Sequence, residues 1–75
     1  MKLPRDVSAR DLITKLGKFG YTVTRQTGSH IRITTLQNGE HHITIPSHSS
    51  LRVGTLSAIL SAAADHLGMP KNELV

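Results

Sequence analysis

The sequence predicts an α+β domain in the order α-β-β-β-α, with a three-stranded antiparallel sheet and both helices packed on one of its faces. Three observations carry this expectation. A stretch near each end repeats apolar residues at helical spacing. Three short stretches between them are β-prone, two with clear apolar–polar alternation. The connections are short and rich in Gly, Asn and Ser.

The first helix has a defined start. Ser8 is a good N-cap, and Asp11 three residues later completes a capping box. Val7 and Leu12 have the spacing of a hydrophobic staple across that cap. Leu12, Ile13, Leu16 and Phe19 form one stripe, with Arg10, Lys15 and Lys18 outside it. Gly20 suits the left-handed position that ends a helix, so the helix is expected over about residues 9–19.

The first strand is expected at Tyr21 to Gln26, where Thr22, Val23 and Thr24 favour extended backbone. Thr27-Gly28-Ser29 supplies a turn. The second strand begins near His30, with Ile31 and Ile33 alternating against His30, Arg32 and Thr34. The third covers about His41 to Pro46, with Ile43 and Ile45 alternating against His42 and Thr44.

Register between the last two strands follows from the pleat. A two-residue Asn38-Gly39 turn pairs Ile33 with Thr44, mixing apolar and polar side chains on one face. A three-residue loop, Gln37-Asn38-Gly39, pairs Ile33 with Ile43 and Ile31 with Ile45. The expected geometry is a type I turn followed by Gly39 in the left-handed position of a G1 bulge. His30, Arg32, Thr34, His42 and Thr44 then share the face opposite the isoleucines. His30 lies across from Pro46, next to the loop Ser47-His48-Ser49-Ser50, which makes His48 a candidate neighbour.

The second helix is expected to start with Thr55 as N-cap, after Gly54. Leu56, Ile59, Leu60, Ala63, Ala64 and Leu67 form its apolar stripe, with Ser57, Ser61 and Asp65 opposite. Gly68 ends it, and Pro70 opens either one short terminal turn ending in Leu74 and Val75 or a frayed tail.

A chain of 75 residues allows one domain, taken as 1–75. Without cysteine it has neither disulfides nor thiolate metal sites, and this composition fits a cytoplasmic protein. No apolar run reaches the ~18 residues of a membrane span, and Met1–Asp6 carries no apolar signal region. The net charge is +4, and the stretch from Leu12 to Gly39 holds Lys15, Lys18, Arg25 and Arg32 with no acid. Such a stretch fits an anionic partner, most often nucleic acid.

Five histidines raise the question of metal. Adjacent His41 and His42 point to opposite faces of a strand, and no carboxylate accompanies His30 or His48, so no four-ligand set emerges. His41 falls at the margin of the isoleucine face, as a packing or hairpin hydrogen-bonding residue. His66 fits a cation at a helix C-terminus. Ser29 and Ser47–Ser50 lack a His–acid pair to activate them and read as turn or phosphate-contact residues. His30 stands at a strand edge near Arg25 and Arg32. Histidine can accept or donate a proton near neutral pH. RNA brings its own nucleophile in the 2′-hydroxyl, so arginines and one imidazole form a sufficient set. By position alone, a structural or solvent-facing His30 is the commoner reading.

Three blocks of the chain resemble the HicA (YcfA-like) family of mRNA interferase toxins. They are the first helix running into Gly20-Tyr21 and Arg25-Gln26-Thr27-Gly28-Ser29-His30, then Ile43-Thr44-Ile45-Pro46-Ser47-His48, then Gly54-Thr55-Leu56 with Ile59-Leu60. Their order and spacing span nearly the whole sequence. The resemblance implies a double-stranded-RNA-binding-domain-like fold, His30 as the catalytic histidine with Gly28 and Ser29 completing its motif, a HicB-type antitoxin as partner, and no metal or small-molecule cofactor. The tail departs from the family, with Asn72-Glu73-Leu74 where an acidic pair often precedes a terminal Phe. The expected activity is ribosome-independent cleavage of mRNA. His30 is the general acid or base, and Arg25, Gly28, Ser29, Arg32 and His48 contact RNA, with Lys15 and Lys18 more peripheral. Two other functions fit the same residues: a non-catalytic RNA- or DNA-binding module on the basic sheet face, and a protein-interaction domain using that face.

Overall fold

The computed structural model describes residues 7–74. Met1–Asp6 and Val75, the last residue of the expected terminal turn, lie outside it. Helix α1 (Ala9–Gly17) leads into strands β1 (Thr22–Thr27), β2 (His30–Thr35) and β3 (His41–Pro46). Helix α2 (Val53–Leu67) and a short 3-10 turn (Lys71–Glu73) follow. The sheet is an antiparallel meander in the order β1-β2-β3. Among the described residues no helix is long and apolar enough to cross a membrane.

The core forms where the periodic patterns meet. Ile31, Ile33, Ile43 and Ile45 from the sheet are buried with Leu12 and Leu16 of α1 and Leu56, Ile59, Leu60, Ala63 and Ala64 of α2. Ile31 pairs with Ile45 and Ile33 with Ile43, the register that keeps all four isoleucines on one face. Leu74 is buried in the same core, so the terminal turn is packed against it. Lys71 Nζ also donates to Ser57 Oγ on α2.

Both ends of α1 follow from local chemistry. Ser8 Oγ accepts the Asp11 amide at 3.0 Å, and Asp11 Oδ2 accepts the Ser8 amide at 3.3 Å. Val7 and Leu12 are buried on either side of this capping box. At the other end, the Tyr21 amide donates to Leu16 O at 3.3 Å and the Gly20 amide to Gly17 O at 3.2 Å. These are the paired bonds of a Schellman ending, with Gly20 at φ +90°. Helix α2 ends the same way: Met69 N–H reaches Ala64 O at 3.1 Å, Gly68 N–H reaches Asp65 O at 3.4 Å, and Gly68 has φ +67°.

Two local expectations are corrected and a third is extended. Helix α2 starts at Val53 with Arg52 as N-cap, not at Thr55. Leu51 is buried and its amide donates to Val7 O at 2.8 Å, which pins the chain in place to enter the helix two residues earlier. The β2–β3 loop keeps the expected register, but Asn38 has φ +58° beside Gly39 at +98°. The expected type I turn requires negative φ at Asn38, so it does not form. His66 is the basic residue in the last turn of α2, as expected, and its ring also reaches beyond the helix. Its Nε2 donates to Gln37 O at 2.7 Å and Gly39 O at 3.0 Å, and Asn38 Nδ2 donates back to His66 O at 3.3 Å. These bonds tie α2 to the hairpin loop and hold Asn38 in its left-handed conformation.

The clamp continues inward. His66 stacks on His41 with ring centroids 4.3 Å apart, and the Tyr21 hydroxyl lies 2.9 Å from His41 Nδ1. Burial, then the nearby His66 and His42, hold His41 below the ordinary histidine value of 6.5. Tyr21 is raised above its ordinary value by burial. Thr35, the buried polar residue of β2, donates to Phe19 O at 3.3 Å and accepts the Gln37 amide at 3.1 Å.

Two stability predictions follow from these contacts. A Cβ at Gly20 would sit 2.8 Å from Gln37 Nε2 and 2.9 Å from Thr35 Oγ1, at a φ that side chains rarely adopt. Gly20→Ala is expected to cost at least about 2 kcal/mol in urea unfolding. Gly28→Ala, at φ +41° with open space around it, pays only the conformational cost of about 1 kcal/mol. Equal losses would contradict the packing at Gly20. For His41, the unfolded chain takes up a proton below pH 6.5 while the folded chain resists it. The stability this neutral ring confers is therefore complete above pH 6.5 and is lost as pH falls through the lower folded value. Thermal unfolding midpoints of His41→Gln should fall less steeply than those of the parent as pH drops below 6.5. Parallel curves would exclude His41 as the cause.

Candidate nucleic-acid interface

The sheet face opposite the isoleucines is open and polar. Along β2 the outward residues are His30, Arg32 and Thr34, paired on β3 with Pro46, Thr44 and His42. On β1 the outward positions are set by a bulge. Thr22 pairs with Thr34 and Val23 with Ile33, but the register shifts by one after Val23, and Arg25 then pairs with Arg32 and Thr27 with His30. Without the shift, Arg25 would pair with Ile31 and face the helices. The extra residue, Thr24, turns Arg25 onto the open face. Thr24 Oγ1 lies 2.8 Å from Thr34 Oγ1 and 3.4 Å from Arg32 O, fixing the bulge.

Arg25 and Arg32 are thus directly cross-strand, an unfavourable placement for like charges unless an anion lies between them. Neither has a carboxylate partner among the described residues, where the one ion pair is His42–Glu40 at 2.8 Å. That pair holds Glu40 at the other end of the face, and His42 Nδ1 bonds Thr34 Oγ1 at 2.7 Å. The basic centre of the face is left open to an anion.

His30 stands beside this arginine pair. It begins β2 immediately after Gly28 and Ser29, a two-residue hairpin connection with positive φ at Gly28, +41°, as its tight geometry requires. Ser29 Oγ lies 3.3 Å from His30 Nδ1. A serine hydroxyl can donate to that nitrogen or accept from it, so it is compatible with either protonation state of the ring.

The remaining sequence-predicted residues lie elsewhere. The His48 loop does approach the hairpin: Ser47 N–H donates to Ser29 O at 2.7 Å, and Ala9 N–H donates to His48 O at 3.0 Å. His48 nevertheless lines a groove on the helix side of the sheet, with Gln26 and Ile31. Lys15 and Lys18 are on and just past α1, which covers the face opposite His30. The structure therefore gathers Arg25, Gly28, Ser29, His30 and Arg32 around one patch, with His48, Lys15 and Lys18 outside it. Sequence reading missed Thr24, whose bulge orients Arg25, and the Glu40–His42–Thr34 chain. A polar first strand that does not alternate is the one available sign of the bulge.

A search of curated proteins and a search of solved structures give no match to the chain. The family model described as "HicA toxin of bacterial toxin-antitoxin" matches residues 9–64, from the first residue of α1 to the buried alanines of α2. It covers the sheet, the arginine pair and the Gly28-Ser29-His30 hairpin. The chain belongs to the HicA toxin family of bacterial toxin–antitoxin systems.

Proposed function

We propose that residues 1–75 form one toxin domain that acts as a metal-independent endoribonuclease on mRNA in the cytoplasm and is restrained by a HicB-type antitoxin. The observation that carries this function is the placement of His30 beside the unpaired, cross-strand Arg25 and Arg32 on the open sheet face. An arginine pair without a carboxylate suits a phosphodiester, and each guanidinium can donate two parallel hydrogen bonds to it.

His30 acts as general acid or base on the bound strand. As a base it takes the proton of a 2′-hydroxyl, whose oxygen attacks the adjacent phosphorus. The bond from phosphorus to the 5′-oxygen breaks, leaving a 2′,3′-cyclic phosphate and a 5′-hydroxyl. The leaving oxygen takes a proton from His30 or from water. Charge on the phosphorane rises in the transition state, where Arg25 and Arg32 stabilise it more than in the ground state. Gly28 and Ser29 bring backbone and hydroxyl close to the substrate, and Ser29 steadies the ring through Nδ1. His48, Lys15 and Lys18 add outlying contacts to longer RNA.

His30→Ala is expected to unfold at the parent temperature and to cleave mRNA at least about a hundredfold more slowly, with loss of growth arrest. The parent enzyme should cleave equally in EDTA and spare a substrate with deoxyribose at the cut position. Undiminished cleavage by His30→Ala, or cleavage at the deoxyribose, would refute the mechanism. Binding of RNA without scission by the parent chain would instead favour the non-catalytic module.

A further inference from the structure

Helix α2 packs on β3 and α1 meets β1, but β1 stays open to solvent. Ile33 of β2 is fully buried and Ile43 of β3 is 7% exposed, but Val23 of β1, paired with Ile33 on the same inward face, is 49% exposed. All six residues of β1 are exposed. Between this uncovered strand and α1 runs a groove of about 550 Å³. Its floor is Val23, Ile13 and Ile31. Arg10, Gln26 and His48 stand around it.

An edge strand whose inward face opens onto a groove beside its helix is an unfinished layer. Burying Val23 and Ile13 would complete it, and exposed apolar surface with a polar rim is how protein-binding sites present themselves. The floor offers nothing to a phosphate. Among the described residues the groove lining contains Arg10 and His48 and no carboxylate, so it is complementary to an acidic segment with apolar side chains. The groove is on the helix side of the sheet, separate from the His30 face.

We infer that the groove between α1 and β1 is the docking site for the antitoxin of this toxin, through a segment that sets apolar side chains on Val23 and Ile13 and carboxylates against Arg10 and His48. This rests on the toxin–antitoxin reading of the chain. A partner anchored there lies against the edge strand that carries Arg25. It can therefore be positioned to reach round that edge and obstruct the open face.

The test uses the full chain and the purified protein encoded by the neighbouring antitoxin gene, with affinity measured by titration calorimetry. Val23→Asp and Arg10→Glu should each weaken binding at least about tenfold while leaving RNA cleavage at the parent rate. Leu36→Asp, at a more exposed apolar site away from the groove, should leave affinity unchanged. Circular dichroism confirms that each variant is folded. Tight binding that survives both groove variants overturns the site. So does weakening by Leu36→Asp alone. Loss of cleavage in Val23→Asp with binding intact would assign the groove to RNA. Self-association of the parent chain that Val23→Asp abolishes would assign it to a second copy. A parent chain that binds no such partner at all fails the toxin–antitoxin reading itself, a result distinct from failure of the groove.

Discussion

Pairing Ile31 with Ile45 and Ile33 with Ile43 decides which side of the sheet becomes core and which remains open. Side chains alternate with a period of two, so a slip of one residue would send the isoleucines to solvent and His30 and Arg32 under the helices. Burial of four isoleucines against Leu12, Leu16, Leu56 and Leu60 makes that slip costly. The polar face owes its composition to the same constraint. His30, Arg32 and Thr44 are exposed because their neighbours in sequence are buried.

The ends of the elements protect this register. Two Schellman endings turn the chain sharply after each helix, and Tyr21 follows the first directly into the core. The second brings His66 over the β2–β3 loop, where it donates to two loop carbonyls. The hairpin that fixes the pairing is therefore held from outside the sheet. Tyr21, His41 and His66 form one connected polar and aromatic seam from the end of the α1–β1 turn to α2. At the β1 edge, α1 meets the strand without covering it. A bulge there turns Arg25 outward and leaves Val23 half-covered, so one irregularity shapes both the open face and the groove behind it.

Much of this was legible in the residues. The capping box, the staple, both terminating glycines and the strand register rest on spacing and local rules that few tertiary contacts override. Whether the tail forms a turn or frays is decided by burial of Leu74 in the core. What failed was decided at a distance. Thr55 is a reasonable N-cap by its neighbours, but Leu51 is pinned to Val7 and starts the helix earlier. Asn38 could adopt either sign of φ, and contact with His66 selects the positive one. For the candidate site, spacing alone placed His30 and Arg32 on one face, since they lie two apart on a strand. Arg25 joined them only through a bulge, and His48 adjoined the hairpin through backbone while lining the other side. The Glu40–His42–Thr34 chain crosses two strands and has no sequence pattern of its own.

The central claim is that RNA is held on the open sheet face, centred on the arginine pair and His30. The most direct measurement is an amide NMR map of the chain titrated with a short RNA made uncleavable by 2′-O-methylation. Shifts concentrated at residues 25–32 and 44–46, with Ile13, Thr14, Ala62 and Asp65 unmoved, are the predicted result. Shifts concentrated on α1, around Lys15 and Lys18, with His30 and Arg32 unmoved, would contradict it.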